Sequence, residues 1–172
     1  MRRYSHTLVI RDRTLSILLR ENYRPKNKLN FFEEQPILQN FKKERLTSTN
    51  YAAIIAEHFN IALDTFIYIG KSIQFRGENL ILNKFICTSF SENFPNFGKT
   101  KLFFSINSKI FVLYESWSTV AISPLNFGYI IKNNSSLFIM EMINFPFTKA
   151  WEMYKTSEND MVIITEYFLC DS

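Results

Sequence analysis

The chain is poor in the residues that build special-purpose chemistry. Its 172 residues hold two cysteines, two histidines and four glycines. Cys87 and Cys170 are too few for a disulfide framework and lack metal-ligand spacing, which predicts two free thiols in a reducing compartment. His6 and His58 lie far apart with no second ligand at local spacing, so no zinc or iron site is expected. There is no Walker loop, dinucleotide fingerprint or G-x-S-x-G elbow, and the expectation is a protein without cofactor. Zinc-finger, helix-turn-helix and aromatic-glycine RNA-binding patterns are missing, so no nucleic-acid partner is expected. No apolar run of about 18 residues predicts a membrane span. Arg11 and Asp12 interrupt the apolar stretch that a signal peptide would need.

What is abundant is apolar and aromatic. Hydrophobic residues make up 47% and charged residues 21%, the balance of a globular chain long enough for one substantial core. Phenylalanine, at 18 residues, stands beside many Ile, Asn, Lys and Tyr, all with A/T-rich codons. This bias points to an AT-rich genome such as that of an organelle. The net charge is +4, and much of the excess sits in Arg2, Arg3, Arg11, Arg13, Arg20 and Arg24. Residues 1–32 are therefore read as a basic N-terminal extension and 33–172 as a single domain.

Along that domain, Pro36 in the first turn of 35–41 predicts a short helix. A second helix is expected over 51–59, where alanines favour it and Tyr51, Ile54, Ile55 and His58 recur on one face. His58 on that face reads as a packed or capping side chain. From Ile61 the apolar period becomes two, predicting a strand over 61–69. The run 80–90 is a second strand and 91–98 a loop. Residues 102–114 read as a β-hairpin turning at Asn107-Ser108, its second arm continuing to Val120. Pro124 to Gly128 punctuates the chain and opens a short helix to Ile131. Strands are expected over 137–145, 150–154 and 161–169. The sum is an α+β fold: one antiparallel sheet of about six strands with N-terminal helices packed on one face.

The closing strand poses the chemical question. It is a long apolar run with one acid, Glu166, near its end. A carboxylate there either faces solvent on a half-exposed strand or serves as the acid of a pocket.

Four motifs in order bear on that choice. They are Leu46-Thr47 leading into the 51–59 helix, the hairpin ending Tyr114-Glu115-Ser116-Trp117, the step Pro124-Leu125 followed by Gly128, and Thr165-Glu166-Tyr167-Phe168-Leu169. Together, over roughly 33–172, they resemble the chorismate–pyruvate lyase-like family, most nearly its plastid-encoded branch. The resemblance implies an enzyme that releases pyruvate from chorismate to leave 4-hydroxybenzoate, without metal or cofactor. It also implies a monomer in the plastid stroma. The other reading is a non-catalytic module that binds a small aromatic acid on the same fold. By this resemblance Glu166 is the catalytic acid, and Leu46 and Leu125 line the substrate site. The family's carboxylate-binding arginine falls on Thr100, which cannot form a charged fork. Lys99 and Lys101 flank it, and a bulge or register slip would be needed to bring either to the ligand as a point charge. An unmatched substrate carboxylate would cost about 2–5 kcal/mol.

Overall fold

A computed structural model describes residues 35–91, 94–123, 128–146, 149–156 and 161–164. Among these, strand dominates and one α-helix is present. The expected α+β layering is therefore corrected to a mostly β fold, built on a curled nine-stranded antiparallel sheet.

Its axis is a long hairpin, β7 (Phe94–Ile106) and β8 (Lys109–Ser123). Asn107 and Ser108 both take positive φ, 51° and 64°, the left-handed pair whose twist matches the flanking strands. β9 (Gly128–Glu141) pairs with β8 along its length. β7 is long enough to hold two different neighbours end to end. Its first half pairs with β6 (Phe85–Ser91), and its second half with β3 (Phe66–Gly70), which in turn pairs with β2 (Lys42–Arg45). The hairpin thus belongs to two lobes of one sheet.

In the lobe beyond Lys101, Leu102, Phe104, Leu113 and Ile67 form an apolar face. It is covered by a 3-10 turn at Leu46–Ser48 and by helix α1 (Ala52–Phe59). Asn60 ends α1 in the left-handed conformation at φ 51°. Ile61 then folds back onto the same cluster, the apolar contact that accompanies such a cap. That capture is why the strand expected from Ile61 begins only at Phe66.

The other lobe curls. β10 (Ala150–Trp151) pairs with β6, while β11 (Met153–Lys155) pairs with β12 (Met161–Ile164), which pairs with β9. β10 and β11 stand at opposite ends of the strand order, yet only Glu152 separates them in the chain. The sheet must bend until its two ends meet. Trp151 from one end and Ile163 from the other accordingly share one cluster with Phe85, Phe97, Trp117 and Tyr129. Register shifts at Cys87/Ser89, Thr100/Leu102, Glu115/Trp117 and Thr119/Ala121 supply the bend, as bulges increase local twist.

On the opposite face of the hairpin, Phe103, Val112 and Tyr114 pack under a small sheet of β1 (Ile37–Gln39), β4 (Ser72–Phe75) and β5 (Glu78–Ile81). The helix expected at 35–41 is replaced by β1. A helix that short is marginal alone, whereas the extended segment gains pairing to β4 and drives Leu38 against Gly70. The run expected as one strand over 80–90 is broken by Asn83 at φ 64°. The loop expected at 91–98 is largely strand from Phe94. Gly98 is there for space: a Cβ would strike the Tyr114 ring and lie 2.7 Å from Thr88 Cγ2. The helix expected after Gly128 is the start of β9. No helix among the described residues is long and apolar enough to cross a membrane.

Candidate functional site

Strand register alone assembles a row of side chains across the curled lobe. Trp151 of β10 stands opposite Phe85, Phe85 opposite Lys99, Lys99 opposite Glu115, and Glu115 opposite Leu137. The next row along the strands is Cys87, Phe97, Trp117 and Asn133. Directly opposed residues share a face, and so do residues two apart on one strand. Both rows therefore lie on the inward face, the face of the aromatic cluster. Phe85 meets Trp117 edge-on at 5.4 Å, and Phe97 meets Trp151 edge-on at 5.8 Å.

The charged centre is Lys101 with Glu115, 3.1 Å apart and each about one-fifth exposed. The bulge that places it lies at Lys101, since Thr100 pairs with Tyr114 and Leu102 already with Leu113. Partial burial opposes the charge of Glu115. Hydrogen bonds from Lys101 and Asn133, with the Lys101 charge, outweigh it and hold the carboxyl below its ordinary value. The Trp117 indole adds to this from the same side, although its N–H forms no bond of proper geometry. Asn133 is oriented for its role because its Oδ1 accepts the Ser135 N–H at 2.6 Å, leaving its amide group to donate. Glu115 is thus taken by Lys101, and Lys99, its direct cross-strand neighbour, has no ion pair among the described residues.

Two further groups in this cluster are unsatisfied. The indole N–H groups of Trp117 and Trp151 are buried and have no hydrogen-bond partner of proper geometry among the described residues. Cys87, in the same cluster, is no nucleophile: burial pushes its thiol up to about 12, and the contact with the Ser89 backbone offsets only part of this. No group of His, Cys, Asp and Glu among the described residues could hold a metal ion.

The residues expected to bind substrate are dispersed. Thr100 is buried on the opposite face, beside Tyr114. Its hydroxyl donates to the carbonyls of Ile81 and Lys84, both at 3.1 Å, and accepts the Lys84 N–H at 3.2 Å. Lys84 in turn forms an ion pair with Glu152, the residue joining β10 to β11, so Thr100 braces the seam of the curl. Lys99 and Lys101 share the inward face. Leu46 is fully buried under α1 in the other lobe. Leu125 and Glu166 lie outside the described residues. Sequence reasoning missed Glu115, Trp117 and Trp151 as members of a site. Trp117 and Trp151 are 34 positions apart, and only the pairing of β10 with β6 unites them.

Comparison with protein-family models finds no match to this chain, and comparison with curated proteins finds none either.

Proposed function

We propose that the chain binds a small aromatic or cyclic carboxylate on the inward face of its curled lobe. The observation that supports this is Lys99: a cation without an ion pair among the described residues, in a row with Phe85 and Trp151 and one row from Trp117. A lysine beside aromatic walls suits an anion joined to a flat ring, the ammonium meeting the carboxylate as a point charge. Titration calorimetry with 4-hydroxybenzoate tests it. Lys99→Ala should weaken binding about tenfold or more, the loss of a charge-assisted contact. Equal affinity in the variant removes Lys99 from the site.

A catalytic reading rests on the four ordered motifs, Thr165-Glu166-Tyr167-Phe168-Leu169 among them. In this reading the site is chorismate lyase-like. The C–O bond to the enolpyruvyl group breaks and the ring loses one hydrogen to become aromatic. The side chain gains that hydrogen and leaves as pyruvate, so no oxidant is consumed. Glu166 supplies the acid and Lys99 holds the ring carboxylate. The A/T-biased composition supports a plastid stroma as its setting. Purified protein incubated with chorismate should yield pyruvate and 4-hydroxybenzoate in equal amounts, and Glu166→Gln should abolish the yield. Intact chorismate after prolonged incubation leaves the protein as a binding module.

A further inference from the structure

Three candidates stand out beyond the lysine row. The edge formed by β2 and β3 exposes Phe41, Phe66 and Tyr68, with Lys43 and Arg45 each 5.5 Å from the Phe66 ring centre. Its own cations already occupy that ring, and nothing selects an external partner. Cys87 is a lone buried thiol. The two indoles carry more.

An indole N–H can only donate, so an acceptor must come to it. A buried donor left unmet costs about 1–3 kcal/mol, and folded proteins rarely leave one. Here two of them, Trp117 Nε1 and Trp151 Nε1, fall in a single cluster, and neither has a hydrogen-bond partner of proper geometry among the described residues, although the Glu115 carboxylate lies near the Trp117 indole. The tryptophans are each about nine-tenths buried. Phe85 lies between them, opposite Trp151 in register and edge-on to Trp117. The unpaired Lys99 is next to Phe85 on the adjoining strand. Two strand spacings, about 10 Å, separate the Lys99 and Trp151 backbones, a span that a benzoate-sized ring bridges once both side chains reach inward.

We infer that the Trp117 and Trp151 indole N–H groups are the donors for a ring oxygen of the bound acid, at the end away from its carboxylate. The inference rests on the proposed carboxylate site and makes it specific: the ligand is an aromatic carboxylate that also carries a hydroxyl, ether or carbonyl oxygen. Benzoate itself would leave both donors unmet and should bind about tenfold more weakly than its 4-hydroxy analogue.

The chain has two tryptophans, so a nitrogen-15 correlation spectrum of the whole protein shows two indole N–H signals. Trp117→Phe or Trp151→Phe assigns them by deletion, and the backbone amide signals report whether each variant is folded. If neither variant folds, cross-relaxation from Phe85 and Phe97 assigns them in the wild type. Titration with 4-hydroxybenzoate should move both indole protons downfield, saturating at the calorimetric stoichiometry, while benzoate should leave them in place. Calorimetric binding of 4-hydroxybenzoate with both indole signals unmoved overturns the inference and leaves the carboxylate site standing. Equal affinity for benzoate and 4-hydroxybenzoate overturns it likewise. Indole protons in contact with water both before and after ligand saturation show that solvent meets the donors, which also overturns it. No heat and no shift with either acid removes the carboxylate site and this inference together.

Discussion

The two halves of the β7–β8 hairpin treat one face of one sheet in opposite ways. Beyond the Lys101 bulge, Leu102, Phe104 and Leu113 meet a helix and a 3-10 turn, and the cluster they form with Leu46, Ile55 and Ile67 is apolar throughout. Before the bulge the same face carries Lys99, Glu115 and Asn133 beside two tryptophans with unmet donors. Among the described residues, no buried side-chain donor or acceptor of the helix-covered half is left unmet. The curled half holds the two buried indole donors that lack a partner of proper geometry. A fold under selection for stability alone would replace them, because a buried unmet donor only costs free energy.

The contrast breaks most visibly at Phe104. Fully buried against Phe59 and Phe111, it should lose about 3–5 kcal/mol of stability on Phe104→Ala in urea unfolding, with ligand affinity of the folded fraction unchanged. A comparable loss of affinity would mean the two halves are not separate in function. Thr100→Val tests the seam. It removes the hydroxyl that serves Ile81 and Lys84, and should cost about 1–3 kcal/mol with no change in the charge of the site. A neutral effect would show that the seam holds without it.

Acid titration gives a smaller effect with a fixed sign. The folded-state carboxyl of Glu115 lies below its ordinary value of 4.5. Its contribution is present above that pH and is lost as pH falls below it, through the lowered folded-state value. Glu115→Gln should flatten the stability curve there by under about 1 kcal/mol, since the pair is partly screened by solvent. A steeper acid loss in the variant would place the Lys101 contact elsewhere. Smallest of all is Trp117→Phe. It deletes an unmet donor along with part of a ring, and the two effects oppose each other. Stability should stay within about 1 kcal/mol of wild type, where an ordinary buried aromatic truncation costs more. A large loss would show that the indole is structural packing.

Local chemistry made part of this legible in the sequence. Asn107-Ser108 between two apolar runs predicts the hairpin turn, and the alanines with Tyr51 and Ile55 predict α1, because turn conformation and helix propensity act over a few residues. The α+β reading failed where short apolar runs had to be assigned without their partners. Residues 35–41 carry a helix-start proline but form a strand once β4 is beside them. The loop expected at 91–98 carries Pro95 and Gly98, both usual breakers, yet β7 runs through them. The site divides in the same way. Lys99 and Lys101 are legible in the sequence as cations near the hairpin, and a bulge as a way of turning one of them. That Lys101 would be paired to Glu115 and Lys99 left unpaired is not, since the register of β8 decides it.

Composition and local pattern thus establish an aromatic-rich chain with a long hairpin, a helix over 51–59 and no metal or nucleotide motif, while the further helices they suggest are replaced by strand. Those properties depend on neighbours in sequence. Which lysine is paired and which tryptophans converge depend on register between strands distant in the chain. So does the closure of a sheet whose ends, β10 and β11, are separated by Glu152 alone. A one-residue slip of β7 against its neighbours would send Lys99 to the opposite face, and no local propensity encodes that choice.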